Sequence, residues 1–474
     1  YSQYIFATSI CSIIEEETVK TFFQRNLMLV LAFFAFILNS CTEANSTTEP
    51  TEENLITISI FSDPHFYDNS LGTSGEAFEQ YLASDRKMIA ESEAITKSVV
   101  NMIAHDNSKI VIVTGDLTKD GELKSHQMFA SYLKQLKDKG KKVFVLPGNH
   151  DVDNPASYSY PGAAPVKVPN VSAEQFKSIY ADFGYKNAIA IDPNGSLTYI
   201  AEPVDGVWLF CLDACRWREN AGKAHSVTGG IFGEATFNWI KEKLAEGKQK
   251  NKLMIGAIHH NVVEHFVGQK MLFSEYVLDN WELVAKTFAE NGLSVIFSGH
   301  HHAHDARIYR SGSNFLVDLQ TSSTVTFPCA IRRVTIDKNR VMQVTSEKIT
   351  SINYDTKGRS FQEYAQYQFA NGLSTIIQSY LKQMGLPDEA IAVLSPIVLE
   401  AYKAYSHGNE DQFYTQEIQL KISQAKSAMA SNPQLMGLIM LMEGMFQDLE
   451  PDDYNFTLDL KTGEIGKKLV EVVK

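Results

Sequence analysis

The chain has 474 residues, 44% of them hydrophobic and 21% charged, which is ordinary globular material long enough for two or more domains. Its formal net charge of −13, from 43 basic and 56 acidic residues, gives no electrostatic footprint for nucleic acid, so no nucleic-acid polymer is expected as a partner. Any phosphate chemistry must neutralise its substrate locally, and bound metal ions are the means to do it.

The N-terminus stands apart from the fold. Arg25 precedes the apolar run Leu27 to Leu38, LMLVLAFFAFIL, 12 residues long. A membrane-spanning helix needs roughly 20, so the run reads as an export signal. It ends in LNSC, Leu38 to Cys41, which resembles the lipobox of bacterial lipoproteins. That resemblance implies a lipid-modified Cys41 and a membrane anchor at the bacterial cell envelope; the alternative is a plain secretory signal. Tyr1 in place of a methionine is read as an extended or truncated start. The acidic, Ser/Thr-rich segment TEANSTTEPTEEN that follows Cys41 reads as a solvated tether, which completes a non-globular region 1–54.

From Leu55 the chain alternates short β-rich apolar runs with helical patterns such as Arg86 to His105 and Leu123 to Lys139. The runs LITISIF, KIVIVTG, KKVFVLPG, GVWLFCLD, KLMIGAIHH and LSVIFSG predict an α/β domain over 55–350 whose strands are buried on both faces. Polar clusters stand at the ends of these runs: FSDPHF, GDLTKDG, PGNHD, HHN and GHHH. In open α/β sheets ligands gather beyond the carboxyl ends of strands, so these clusters should converge in one cleft.

Asp63, His65, Asp116, Asn149, His259, His300 and His302 then supply oxygen and imidazole donors with no thiolate, a set suited to Mn, Fe or Zn. Two metals fit the number if Asp116 bridges, and the family resemblance that these motifs carry implies the division: one ion on Asp63, His65, Asp116 and His302, the other on Asp116, Asn149, His259 and His300.

With these motifs in order, the chain resembles the calcineurin-like metallophosphoesterase superfamily. D-x-H, G-D, G-N-H-[DE], a lone histidine and G-H-x-H appear as Asp63/His65, Gly115/Asp116, Gly148 to Asp151, His259 and Gly299/His300/His302. The resemblance implies a four-layer α/β/β/α sandwich holding two divalent or mixed-valence metal ions and acting on a small phosphoester. It also implies attack by a water held between the metals, with His150 as proton donor to the leaving oxygen. Asp151 is read as a partner orienting a site group or as a turn cap, and Asp120 as a solvated residue. Within the superfamily the chain looks most like exported bacterial members related to class III cyclic-nucleotide phosphodiesterases.

Histidines outside the motif receive supporting roles. His301 is the x of G-H-x-H and points elsewhere, His304 is the nearest rival ligand by alternation, His260 is a neighbour or substrate contact, and His265 packs in a loop. The loop 152–200 and Thr321 to Pro328 are candidates for the cleft wall. Cys211, Cys215 and Cys329 read as buried small hydrophobes rather than a disulfide framework. Beyond residue 350, Phe361, Tyr364, Ala365 and Phe369, then Ile377, Tyr380, Leu381 and Met384, fall at helical spacing, so 351–474 reads as a separate helical module. Met436, Met440, Met442 and Met445 read as a core helix rather than a partner surface.

Two function classes remain: a dimetal phosphoesterase, with a diester such as a cyclic nucleotide preferred over a monoester, and a binding protein that keeps the fold without the chemistry. A full set of donors plus His150 favours the enzyme. A monoester dianion would want a further cation, for which Arg216 and Arg218 are the candidates.

Overall fold

In a computed structural model of the protein, residues 55–83 and 85–467 are described. The export signal, Cys41 and the tether lie outside them. The apolar runs become the centres of two mixed sheets. In the first, β1 (Ile56–Phe61), β2 (Ile110–Thr114) and β3 (Lys142–Leu146) run parallel. In the second, the parallel centre is β8 (Val207–Leu212), β9 (Leu253–Ile258), β10 (Leu293–Ser298) and β12 (Asn314–Gln320).

Antiparallel strands complete each sheet. β13 (Ala330–Ile336), β14 (Val341–Lys348), β15 (Phe456–Asp459) and β16 (Ile465–Lys467) extend the first beyond β1. β11 (Asp305–Ser311) closes one edge of the second, and β7 (Tyr199–Val204) and β6 (Ala190–Ile191) the other. A small separate hairpin pairs β4 (Tyr158–Ser159) with β5 (Val166–Lys167).

Alternation within β8 shows why its run is apolar throughout. Val207, Leu209 and Cys211 join the core shared with the first sheet, while Trp208, Phe210 and Leu212 face helices. Those helices are α5 (Glu234–Gln249) and α7 (Trp281–Glu290), which contribute Phe237, Ile240, Leu244, Val284 and Phe288 to that outer layer. Over the first sheet lie α2 (Ser92–Ala104) and α3 (Leu123–Asp138) with Ile95, Val99, Phe129 and Leu133 inward. The result is the expected four-layer α/β/β/α sandwich. Shorter helices are α1 (Glu76–Ala83), α4 (Ala173–Ile179) and α6 (Gln269–Leu272).

The C-terminal region contains α8 (Phe361–Gln383), α9 (Asp388–His407), α10 (Gln416–Ala428) and α11 (Pro433–Gly444). A Ser360/Glu363 capping box starts α8, whose Phe361, Tyr364, Phe369, Leu373 and Ile377 enter the same core as the first sheet. Tyr380 and Met384, at the same helical spacing, are exposed. In α11, Leu435, Ile439 and Met442 turn inward and Met440 faces outward. The region is not wholly helical as read: after α11 the chain returns to pair β15 against β14, whose edge would otherwise carry unpaired peptide groups. The described residues on both sides of 350 belong to one compact unit.

Another difference bears on the site. The helical pattern drawn from Arg86 forms a helix only from Ser92, because residues 85–91 are held as an irregular strap. The strap is fastened where Met88 N–H donates to the Val325 carbonyl at 2.8 Å.

Candidate metal centre

The polar clusters converge at the carboxyl ends of β1, β2, β3, β9 and β10, from both sheets. Asp63, His65, Asp116, His300 and His302 all have left-handed backbones, with φ of 48°, 37°, 47°, 71° and 66°. Such conformations are costly for residues with a Cβ and persist where surrounding structure over-determines them. Here the loops tie one another down. Asp63 N–H donates to Gly115 O at 3.2 Å, His65 N–H to Asp116 O at 3.0 Å, and Gly299 N–H to His259 O at 3.0 Å. His300 N–H reaches the Asp63 carboxylate at 3.1 Å, and His150 N–H reaches Asp116 Oδ1 at 2.9 Å.

The donors gather as two groups. One ligand atom each from Asp63, His65, Asp116 and His302 lie within 4.8 Å of one another, and so do those of Asp116, His259 and His300. Asp116 is common to both. Asn149 joins the second group, its Oδ1 standing 3.1 Å from His259 Nε2. All are buried.

The hydrogen bonds show that this donor set fits cations. His259 Nδ1–H donates to the Thr114 carbonyl at 2.9 Å, which turns Nε2 towards oxygen atoms of Asn149 at 3.1 Å and Asp116 at 3.4 Å. Burial alone would lower that imidazole, but Asp116 and Asp63 pull it up to about 9, the same field that would draw in a metal. His65 Nε2 and His302 Nε2 meet at 3.0 Å, facing Asp116 Oδ2 at 3.5 Å and Asp63 Oδ1 at 3.4 Å. Neither carboxylate has a Lys or Arg partner among the described residues, so histidines alone stand against their charge, and buried carboxylates short of counter-charge are expensive. Two divalent ions, held by these residues, would meet that need.

Glycine is required where the loops cross. A Cβ on Gly148 would overlap the Asp116 carboxylate, and one on Gly299 would overlap Ser62 Oγ and Asp63 Oδ2. Gly148→Ala is therefore expected to fold with less bound metal and to lose on the order of 10- to 100-fold in activity, as when a ligand's support is removed. Elemental analysis beside the rate checks it; full metal content at full rate would contradict the steric account.

His150 stands at the rim. Its Nδ1 meets Asp120 Oδ1 at 2.8 Å, and its Nε2 lies 3.9 Å from Asp116 Oδ2. Burial opposes the imidazolium, but Asp116 and Asp120 outweigh it and raise the histidine above its usual range. Asp120 is thus not solvated; it is buried, and Lys119 and His150 hold it well below the ordinary carboxylate range despite that burial. Lys119 is itself fully buried against Asp120 and the rings of Tyr67, Tyr81 and Tyr160. Asp151, read as an orienting partner, does not serve His150. Its oxygens accept from the N–H groups of Gly148, Leu117 and Thr118 and from the Thr118 hydroxyl, at 2.8 to 3.0 Å, so it clamps two ligand loops together.

The other histidines separate cleanly. His301 is buried, stacked on Tyr276 with centroids 4.1 Å apart, and His304 hydrogen-bonds Ser346 Oγ at 2.8 Å; neither joins a donor group. His260 bonds the Thr228 carbonyl at 2.9 Å beneath His300. His265 packs as expected but also pairs with Asp305 at 2.7 Å. Thr321 to Pro328 does support the site, Ser323 Oγ donating to the Asp63 carbonyl at 2.7 Å and Thr326 Oγ1 meeting His302 Nδ1 at 3.3 Å. Cys211, Cys215 and Cys329 are buried and free.

A cavity of about 100 Å³ opens over Asp116, Asn149, His300 and His302, with Asp85, Arg86 and Lys87 at its edge. Arg86 and Lys87 come from the irregular strap and are the cations that sequence reasoning missed. Arg216 and Arg218 do not line this cavity; Arg216 pairs with Glu219 and Asp279, and Arg218 lies over Trp217. Nor does any residue of the loop 152–200 line it.

Residues 56–304 match the family of calcineurin-like phosphoesterases. Over 64 residues the chain is 31% identical to a probable cyclic nucleotide phosphodiesterase of Vesicomyosocius okutanii subsp. Calyptogena okutanii, a stretch covering 14% of this chain and 26% of that relative. The chain therefore spans little more than a quarter of that relative's length. Among solved structures it is similar to a dimetal phosphatase from Danio rerio, with 15% identity, a TM-score of 0.45 and coverage of 63% of this chain and 98% of that one. It is also similar to a purple acid phosphatase from yellow lupin (Lupinus luteus) seeds, with 13% identity, a TM-score of 0.37 and coverage of 65% and 53%. The family match takes in all of the converging loops and more than half of the chain, and the protein belongs to the calcineurin-like phosphoesterases.

Proposed function

We propose that this phosphoesterase hydrolyses a phosphodiester, with His150 giving a proton to the departing oxygen. The observation that carries the reading is the pair of donor groups sharing Asp116, beside a His150 whose Nδ1 is fixed by Asp120. Two bound metal ions would supply a water activated near neutral pH and positive charge against the phosphoryl oxygens. Asp120 holds the His150 ring so that Nε2 faces the cavity, and Lys119 keeps Asp120 ionised.

Charge at the rim favours a diester over a monoester. Arg86 and Lys87 bring two positive charges, and Asp85, 3.4 Å from Lys87, offsets one. The net single charge of the strap suits a monoanion. A second cavity of about 400 Å³ shares Arg86 and Tyr276 with the first and is walled by Phe273, Ile377, Leu381 and Tyr402, which gives an organic substituent of the ester a place to lie. The relative's name makes cyclic nucleotides the first natural diesters to screen. A monoesterase is the second reading, favoured if Lys87 turns from Asp85 to the substrate.

The test is the ratio of kcat/KM for a chromogenic diester and monoester with Mn or Fe restored. A diester preference supports the proposal, and a monoester preference promotes the second reading. Asp120→Asn is expected to lower kcat about 10- to 100-fold with KM little changed and the pH–rate profile displaced, because His150 loses the group that sets its tautomer. An unchanged kcat and profile would remove Asp120 from the account.

An exported, lipid-anchored setting is supported by the run Leu27 to Leu38 ending at Cys41. Fatty-acid labelling lost in Cys41→Ser would bear it out, and undiminished labelling would exclude that anchor.

A further inference from the structure

Away from the metal centre, three carboxylates from distant parts of the chain meet out of water. Asp305 opens β11, Glu410 lies in the turn after α9, and Asp453 lies in the loop before β15. One oxygen from each lies within 4.8 Å of the other two, and the residues are 5%, 3% and 1% exposed. Asp453 accepts from the Ala306 N–H at 2.7 Å and from the Asn409 N–H, and Asp305 Oδ1 accepts from His265 Nδ1 at 2.7 Å. Glu410 Oε1 is buried with no hydrogen-bond partner.

Counter-charge is short at this point. Among the described residues no Lys or Arg nitrogen pairs with the carboxylates of Asp305, Glu410 or Asp453; against the group stand His265, 2.7 Å from Asp305, and the buried Arg332, which lies close enough to act on Asp453 but directs its guanidinium to the backbone carbonyls of Asp305, Gln320 and Asp453. Asp448 adds a half-buried fourth carboxyl, which burial and then Asp305 push up to about 7. Burial and mutual repulsion likewise push Glu410 and Asp453 well above the usual range. Carboxylates in such contact stay ionised only beside a cation.

We propose that Asp305, Glu410 and Asp453 form a further cation site, separate from the two-metal centre, that takes Ca²⁺. The ligand chemistry makes the choice of ion. Every available donor is a hard oxygen, with neither thiolate nor free imidazole, because His265 is raised to about 9 by Asp305 and Asp318 in spite of burial and is a proton donor at neutral pH. A cluster of carboxylates with irregular spacing suits Ca²⁺ better than Mg²⁺, which demands near-octahedral geometry and retains its waters. The site joins the segment after α9 and the loop before β15 to β11, the strand that follows the His300–His302 loop. His304 N–H donating to Ser406 O at 3.1 Å already ties the last turn of α9 to the residue before β11. Ca²⁺ there would fasten the C-terminal region without touching the substrate.

The experiment is a Ca²⁺ titration of the full chain, stripped of metal and refilled with two equivalents of Mn²⁺, followed by calorimetry and thermal unfolding. One Ca²⁺ per chain is expected, with Tm rising on the order of a few degrees at saturation. Both signals should vanish in Glu410→Gln and Asp453→Asn and persist in Asp116→Ala. If Asp453→Asn fails to fold, Glu410→Gln decides, since Glu410 Oε1 has no hydrogen bond to lose. No Ca²⁺ response in the native chain, a response retained by Glu410→Gln, or one lost in Asp116→Ala would overturn the proposal. Because the readouts are binding and Tm, they stand apart from any result on phosphoester hydrolysis.

Discussion

Asp116→Ala is expected to lower kcat/KM by on the order of a thousandfold or more and to cut bound transition metal from two ions per chain to at most one, since activated water and charge neutralisation both depend on the metal pair. Asp116 is the member common to both donor groups, and its carboxylate faces His65 Nε2 at 3.5 Å and His259 Nε2 at 3.4 Å. It also receives the His150 N–H at 2.9 Å, so its loss disturbs the rim as well. Asp116→Asn keeps the shape and separates charge from packing: it should fold as the parent does and still bind metal poorly. Two retained ions with activity within about tenfold of the parent would contradict the shared role.

His150→Ala should behave differently. For an ester leaving as an alkoxide, loss of the proton donor is expected to cost about 10²- to 10⁴-fold in kcat. For a p-nitrophenyl ester, whose leaving group needs little protonation, the loss should be under about tenfold. Metal content should stay at two ions, because His150 offers no ligand atom to either donor group: it meets them through its backbone N–H, a 3.9 Å approach of Nε2 to Asp116 and an edge-on ring contact with His65. The ratio of alkyl to aryl ester rates in parent and variant is the measurement. An equal loss on both esters would assign His150 to binding rather than proton transfer.

The convergence of the donors was legible because each follows directly on a buried strand, and strand ends in a parallel centre point to one side of the sheet. Asp63, Asp116, Asn149, His259 and His300 needed no knowledge of distant contacts. Asp120 and Asp151 could not be ranked that way. Both lie near His150 in sequence or motif, and only the folded loops show that Asp151 is occupied by the N–H groups of Gly148, Leu117 and Thr118 while Asp120 reaches the imidazole. Arg86 and Lys87 were hidden because the amphipathic pattern of α2 extends back through them, whereas the Val325 carbonyl captures Met88 N–H and keeps the strap irregular. A tertiary hydrogen bond there overrides a local preference. β15 and β16, of four and three residues, carry too little periodicity to be seen before their pairing partner is known.

The proposed phosphodiester hydrolysis depends on two metal ions sharing Asp116. That dependence is tested most directly by adding Mn²⁺ or Fe²⁺ stepwise to the metal-free full chain while following cleavage of a chromogenic diester. The account predicts a rate that rises to a plateau at two equivalents and stays near zero in Asp116→Ala. A full rate in excess chelator, or a plateau reached at one equivalent, would contradict it.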